Sequence, residues 1–480
     1  MALSKYDHWQ YLFAPDSVAV IGATNIPGTW GFGIMRHLLE SVNRKIYPVN
    51  PTVSEVLGIA TYDSVVDIPS PVDLAVIVVP ASQVPVVLRE CVQKGVRTAV
   101  IISAGFAETG RQGYELENEL VEIARQGGIR FAGPNCLGYA DTSSRLCALA
   151  WAEKIPAGPV GVISQSGNYG ELIMHTGMAS GIGFSKFIST GNEADLHLED
   201  YLDYLAQDQD TRIITAYIEG LKEGRRFLQL AKETTTRKPM IVIKAGGTEA
   251  SAKAARSHTG ALAGSDVVYD AAFRQAGVIR VHDNDELCDV LVAFLNQPLP
   301  RNNRIGILAI GGGLGVVAAE ACEQEGLKIA PLSSLTIEKL DNYLPSRWSR
   351  GNPVDTAGMI AAKRHLLFAS IFALIEDENV DAILLLLPMV FNSERLSAFL
   401  GLKGKETNAF KEIQKENLIA IKERAKECGK PVFVVPLLRD EEASSFLLKE
   451  GIPAYHSPRR AARVLRHLAW YSHYLDFAKQ

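Results

Sequence analysis

Short β-branched and apolar runs alternate with amphipathic stretches from one end of the chain to the other. Ser17–Gly22 (SVAVIG), Leu74–Val79 (LAVIVV), Thr98–Ser103 (TAVIIS) and Ile129–Ala132 have the length and composition of strands. Between them, Gly33–Ser41, Val84–Lys94 and Tyr114–Gln126 repeat apolar positions at three- and four-residue spacing, which predicts helices buried on one face. Strands this uniformly apolar are covered on both sides, the pattern of a parallel sheet between helices. The alternation restarts at Pro159–Ser164 (PVGVIS) and at Arg304–Ile310 (RIGILAI), each time entering a Gly-rich loop and a helix. Three such starts predict an α/β protein of three tandem doubly wound domains. The aperiodic stretch Ala140–Gly158 and the Pro- and Asn-rich Asn296–Asn303 mark boundaries, which places domains at 1–140, 155–296 and 303–480. Leu344–Pro353 reads as a further linker-like stretch, and Ser457-Pro458 caps a terminal helix that runs to Phe477.

Length agrees with this division, since 480 residues exceed one core and correspond to roughly three domains of about 150 residues. Lys and Arg number 49 against 54 Asp and Glu, a formal charge of −5. So mild an acidity argues against a dedicated nucleic-acid or anionic-membrane surface, while leaving room for a local phosphate pocket. The six cysteines lie far apart with no CxxC pair, so neither disulfides nor a zinc site is expected, and no metal is assigned. The longest apolar run, Ala382–Val390, has strand length, and the amino terminus lacks the basic-then-apolar order of a signal peptide. A cytoplasmic protein is expected.

Four segments carry candidate chemistry. Gly22-Ala23-Thr24, continuing to Gly28, follows the first strand and precedes a helix, where backbone N–H groups and the helix dipole attract phosphate. It is not the GxGxxG fingerprint, and the second strand ends in Asn50-Pro51 where a NAD site would place an acid. A tight loop without a ligand is the alternative. Ser164-Gln165-Ser166-Gly167-Asn168 forms a second helix-start cradle; Gln165 before Ser166 argues against a hydrolase nucleophile elbow. His258 sits in Ser251–Asp266 (SAKAARSHTGALAGSD), surrounded by small residues, with no second His or Cys at metal-ligand spacing. An accessible imidazole of this kind suits nucleophilic catalysis on a phosphoryl group. Glu219 closes the apolar run of Ile214–Gly220 and could orient one ring nitrogen of His258, or simply meet solvent at a strand end. Gly311–Gly315 opens the third domain like a phosphate loop, and Gly404-Lys405-Glu406 lacks the Ser/Thr and strand of a Walker loop.

These segments, together with GPNCLG (Gly133–Gly138) and STGNEADL (Ser189–Leu196), follow the order seen in NDP-forming acyl-CoA synthetases. The chain resembles the separate α subunits of ADP-forming acetate–CoA ligases, relatives of succinyl-CoA synthetase, over essentially its whole length. The resemblance implies a Rossmann-like CoA-binding first domain and flavodoxin-like second and third domains. It implies that His258 is phosphorylated during turnover and that Glu219 orients it. It assigns Ser166, Gly167, Asn168 and Asn192 to phosphate and acyl substrate. It assigns Gly22, Ala23, Thr24, Gly28, Asn50, Pro51, Val79, Pro80, Ser103, Ala104 and Gly105 to the CoA site. The reaction implied is acyl-CoA + ADP + phosphate ⇌ carboxylic acid + CoA + ATP. An ATP-grasp β subunit would hold ADP or ATP with Mg2+, in an α2β2 assembly. Thr52 stands where many relatives have Lys, and Trp30 where a small or basic residue is usual, so a basic CoA contact comes from Arg44 or Lys45 or is absent. A NAD-linked dehydrogenase and a non-catalytic CoA-binding regulator are the alternative readings.

Overall fold

The computed structural model describes residues 7–40, 44–150, 153–248, 265–356, 364–392, 394–395, 398, 401 and 404–479. The chain forms two compact units, Met1–Asn284 and Asp285–Gln480.

The first unit holds two sheets. The first sheet contains β1 (Ser17–Ile21), β2 (Lys45–Val49), β3 (Leu74–Ile77), β4 (Thr98–Ile101) and β5 (Arg130–Ala132). They lie in the order β2-β1-β3-β4-β5 and every pair is parallel. All residues of β1, β3 and β4 are buried, as their apolar composition requires, beneath helices that include Trp30–Leu39, Val84–Lys94 and Arg111–Gly127. The strand order reverses between β1 and β3, so a crevice opens beyond their carboxyl ends, at Gly22 and at Val78–Pro80.

The second sheet contains β6 (Gly138–Asp141), β7 (Leu146–Leu149), β8 (Ala157–Ser164), β9 (Phe184–Ser189), β10 (Ile213–Ile218), β11 (Met240–Lys244) and β12 (Ile279–Val281). Its order is β12-β11-β10-β8-β9-β6-β7. The five strands from β8 to β12 are parallel and repeat the topology of the first sheet, with the reversal between β8 and β10. β6 and β7 form an antiparallel hairpin on the β9 edge. The stretch without periodicity after Ala140 thus contains sheet rather than only linker, because short edge strands carry too few residues to show a period.

This hairpin and the amino-terminal helix Asp7–Phe13 tie the two sheets into one unit. His37 Nδ1 on the first-sheet helix lies 2.6 Å from the Leu149 carbonyl oxygen, and the guanidinium of Arg44 donates to the Ser144 carbonyl at 2.5 Å. Phe13 stacks on Tyr204 with centroids 4.6 Å apart, and Trp9 packs on Tyr204 at 4.9 Å. Such aromatic pairs are worth about 0.5–1.5 kcal/mol each beyond their burial.

The second unit is built on β13 (Arg304–Ala309), β14 (Lys328–Ile329), β15 (Val354–Asp355), β16 (Ala382–Leu387) and β17 (Val432–Pro436). The order is β14-β13-β16-β17, with β15 pairing the end of β13. The longest apolar run of the sequence is β16, buried at every position. Leu344–Pro353 is not a linker: Trp348 is buried with its indole N–H on Asp341, and the Asn352 amide donates to the carbonyls of Ile305 and Ala330. The terminal helix Pro458–Ala478 is capped by Ser457, whose hydroxyl accepts from the Arg460 N–H at 3.3 Å. From Asp285 onward the helix Asn284–Asn296 packs in this unit: Asp289 takes a bidentate pair from Arg460 at 2.7 and 2.9 Å, and Glu286 meets His467 at 2.9 Å. Among the described residues no helix is long and apolar enough to cross a membrane.

Candidate functional site

At the first crevice the work of holding shape is done by backbone and small side chains. Gly22 has φ +97°, and a Cβ there would lie 2.9 Å from the Val78 carbonyl oxygen, so the turn passes against β3 only as glycine. Asn50 donates through Nδ2 to the Ala23 carbonyl at 2.8 Å, and its Oδ1 accepts from the Thr52 N–H at 2.8 Å and hydroxyl at 2.7 Å. Asn50 therefore pins the loop from behind, and Pro51 follows it at the exposed rim. The Thr24 hydroxyl accepts from the Ile26 N–H, which tightens the same turn. Ser103 donates to the Val79 carbonyl at 2.5 Å, joining the ends of β3 and β4 beside Pro80 and Ala104. Gly28 has φ +80° with no atom within 4 Å of where its Cβ would stand. Arg44 and Lys45 do not supply a basic contact here. Lys45 opens β2 in register with Ser17, at the end of the strands away from the crevice, and the Arg44 guanidinium is held by the carbonyls of Pro15 and Ser144.

The second crevice is built from side chains. Adjacent strands β9, β8 and β10 end in Thr190–Glu193, Gln165-Ser166 and Glu219-Gly220, and of these Gln165, Gly191–Glu193 and Glu219-Gly220 line a cavity of about 590 Å³ that also reaches Glu117 and Lys222. Ser166 caps the helix Gly167–Ala179, its hydroxyl accepting from the Tyr169 N–H at 3.3 Å. The first-turn N–H groups at Gly167 and Asn168 have no intrahelical acceptor, the ordinary condition for anion attraction. A Cβ on Gly167 would meet Leu137 Cγ at 2.4 Å, so the small residue is needed for close packing. Asn168 is exposed.

Gln165 bridges two of these ends. Its Oε1 accepts from the N–H of Glu219 at 2.5 Å and of Gly220 at 3.0 Å. Its Nε2 donates to the Gly220 carbonyl at 2.7 Å and to Glu193 Oε1 at 3.0 Å. Burial pushes the Glu193 carboxyl up to about 7, with hydrogen bonds from Thr190 and Gln165 opposing the shift and Glu199 adding to it. Lys222 Nζ donates to the Glu193 carbonyl at 2.9 Å, and Lys244 Nζ to the Glu219 carbonyl at 2.9 Å. Burial lowers the Lys244 ammonium, which lies 4.4 Å above the Tyr269 ring.

Asn192 joins the two crevices. Its amide nitrogen donates to Glu108 at 2.6 Å and Glu117 at 2.8 Å, and Glu108 in turn accepts from the N–H of Gly105 at 2.6 Å. Burial raises the Glu117 carboxyl. For Glu108 burial acts in the same direction, but hydrogen bonds from Asn192 and from the Gly105 and Phe106 N–H groups outweigh it and hold the carboxyl below its ordinary value. With the Asn192 amide committed in this way, the loop presents backbone to the cavity.

The carboxyl ends of the second sheet's strands bring together Glu219, Asn192, Ser166 and Gly167, and those of the first sheet's strands bring together Gly22–Gly28, Asn50, Val79-Pro80 and Ser103–Gly105. His258 lies outside the described residues; β11, next to the Glu219 strand, ends at Lys244 before that segment begins. Gln165 was read from the sequence only as an argument against a hydrolase, and Glu193, Lys222 and Lys244 were not singled out. Gln165 and Glu193 stand inside the SQSG and STGNEADL blocks, and an acid directly after Gly191-Asn192 was the available signal.

Residues 16–142 match the family model of a CoA binding domain, and residues 157–294 that of a succinyl-CoA ligase like flavodoxin domain. The chain is 43% identical to the α subunit of ADP-forming acetate–CoA ligase II of Pyrococcus furiosus, over 94% of this chain and 95% of that one. It is also 43% identical to an ADP-forming acetate–CoA ligase of Methanocaldococcus jannaschii, over 96% of this chain but 63% of that longer one. A solved dinucleotide-forming acetyl-coenzyme A synthetase of Ca. Korarchaeum cryptofilum, in complex with phosphate and ADP, superposes with a TM-score of 0.84 at 34% identity, covering 98% of each chain.

Proposed function

The chain belongs to the family of ADP-forming acetate–CoA ligase α subunits, and from that premise we propose that it interconverts acyl-CoA, ADP and phosphate with carboxylic acid, CoA and ATP. The observation that carries this reading is that, at the reversal point of the second sheet, Gln165, the residue before the Ser166 helix cap, is hydrogen-bonded to the strand end that bears Glu219. Residues 1–140 bind CoA through the Gly22–Gly28 loop, 155–296 carry the reacting groups, and 303–480 form a third ligase domain.

The chemistry follows from these groups. Phosphate is drawn to the helix start at Ser166, Gly167 and Asn168, and one of its oxygens attacks the thioester carbonyl. The C–S bond breaks, CoA leaves as thiolate, and an acyl phosphate remains. A neutral nitrogen of His258 attacks that phosphorus, the bond to the acyl oxygen breaks, and the carboxylate departs. Glu219 holds the other ring nitrogen and stabilises the cation that forms. An ATP-grasp partner subunit, in an α2β2 assembly, holds ADP with Mg2+ and receives the phosphoryl group. The pinned Asn50 leaves the first crevice without the carboxylate that a NAD ribose requires, which disfavours the dehydrogenase.

The test is co-expression with a β subunit, followed by a panel of acyl-CoA substrates with ADP and phosphate. ATP formation and acid-labile phosphate on this chain are expected. Absence of ATP from every acyl-CoA, or binding of NAD without binding of CoA, overturns the reading.

A further inference from the structure

Several unusual features meet at Glu193. Its side chain is 1% exposed although the loop that carries it borders the cavity. Its φ is +57°, a region that non-glycine residues enter at a cost and that persists only where surrounding structure enforces it. Oε1 accepts from the Thr190 hydroxyl at 2.8 Å and from Gln165 Nε2 at 3.0 Å, while Oε2 is buried without a hydrogen-bond partner among the described residues. A buried carboxyl with one unpartnered oxygen is costly, so its retention needs an explanation beyond packing.

The Gln165 amide supplies one. A carboxamide has an acceptor end and a donor end, and rotating it by half a turn exchanges them. Here the acceptor end faces two donors, the N–H groups of Glu219 and Gly220, and the donor end faces two acceptors, the Gly220 carbonyl and Glu193 Oε1. Inverting the amide would set donor against donor at Glu219 and acceptor against acceptor at Glu193. We propose that Glu193 is a positioning residue that acts on Glu219 through Gln165, holding the amide in the one orientation that fixes the Glu219–Gly220 backbone at the end of β10. The inference rests on the catalytic role proposed for Glu219. It requires at position 193 an acceptor at Oε1, not a negative charge, so a glutamine there performs the same task.

The test uses the full chain assembled with its β subunit and measures ATP formation from acyl-CoA, ADP and phosphate. Glu193→Ala should lower kcat about tenfold or more, with KM for acyl-CoA within about twofold, because Glu219 is displaced while the CoA crevice is untouched. Glu193→Gln should stay within about threefold of wild type. Gln165→Leu should show the same kcat loss, and Glu193→Ala combined with Gln165→Leu should be no slower than the worse single variant, since both break one chain of contacts. If Glu193→Ala does not fold, Gln165→Glu carries the test with Glu193→Gln: it keeps the shape, sets oxygen against Glu193 Oε1, and should lose about tenfold in kcat. Unchanged kcat in Glu193→Ala or Gln165→Glu, a Glu193→Gln as slow as Glu193→Ala, or losses that multiply in the double variant would each overturn the proposal. Wild-type complex that makes no ATP from any acyl-CoA instead overturns the catalytic reading on which it rests.

Discussion

The two crevices of the first unit share one sheet order and differ in what fills the loops. Beyond β1 and β3 the loops Gly22–Thr29 and Val78–Gln83 carry no charged side chain, and Asn50 and Ser103 turn inward to brace the Ala23 and Val79 carbonyls. Beyond β8, β9 and β10 stand carboxylates, lysines and amides linked into one network. A glycine-containing loop without fixed charge lets a large anionic ligand reach backbone N–H groups and alters no bond in it. A crevice with fixed charges is suited to move a proton or stabilise charge as it forms. On the function proposed above, one topology yields a binding end and a reacting end, and Asn192 couples them through Glu108 and Glu117.

If that division holds, damage to the reacting end should abolish turnover and spare CoA binding. His258→Ala is expected to have the largest effect, with no ATP formation above background and no acid-labile phosphate on the chain. CoA affinity, measured by calorimetry, should remain nearly that of wild type. Turnover within about tenfold of wild type would show that phosphoryl transfer does not pass through this residue. Glu219→Gln should follow with a loss on the order of 10²-fold in kcat, the usual scale for one electrostatic or orienting group. An unchanged rate would return Glu219 to a strand-end carboxylate without a catalytic task.

The reacting end was less legible in the sequence than the fold. The strands from Ser17 to Ala132 and the helix Val84–Lys94 could be read within a residue or two, because full burial leaves an apolar run and one-sided burial a helical period. The hairpin at Gly138–Leu149 could not, since strands of four residues on an edge show no period. Glu219 was visible as an acid that ends an apolar strand. Gln165 and Glu193 were not, because their importance lies in which neighbour each amide or carboxyl end faces, and three strands distant in sequence decide that. Asn50 was read as part of a ligand site, and the structure adds that its side chain pins the Gly22–Gly28 loop through Ala23.

Damage to the binding end should have the converse, smaller effect. Gly28→Val places a branched side chain where φ is +80° and where the structure leaves open space in front of the loop. Loss of a charge-assisted backbone contact corresponds to a drop of about 10- to 100-fold in CoA affinity. Strain of roughly 1–2 kcal/mol should lower the melting temperature by only a few degrees. Gly31→Ala is the contrasting case, since its Cβ would fall 2.1 Å from the Gly22 carbonyl oxygen and must shift the loop itself. That variant should lose affinity and stability together. Equal melting temperatures for the two variants would contradict the packing described here, and undiminished CoA affinity in Gly28→Val would move the CoA site elsewhere.

The smallest effect separates the two ends by their response to pH, because among the described residues of the two crevices Glu193 is the buried acid whose affinity for protons is raised most. Glu193 has an ordinary value of 4.5 in the unfolded chain and about 7 in the fold, where burial is the main cause, Glu199 reinforces it, and Lys222 opposes it. The folded state therefore binds the proton more tightly. The stability this contributes is complete below about 4.5 and declines as pH rises through about 7, above which no further change comes from this group. At 1.36 kcal/mol for each pH unit between the two values, the decline is on the order of 3 kcal/mol at most. Glu193→Gln has no proton to lose. Denaturant unfolding at pH 5 and pH 8 should show wild type losing more stability than Glu193→Gln between the two conditions, with Glu199, Lys222, Tyr139 and Tyr201 common to both proteins. Parallel pH dependence in the two would mean that Glu193 ionises in the fold as it does in water, and the contrast between a neutral-backbone crevice and a buried-acid crevice would lose its electrostatic half.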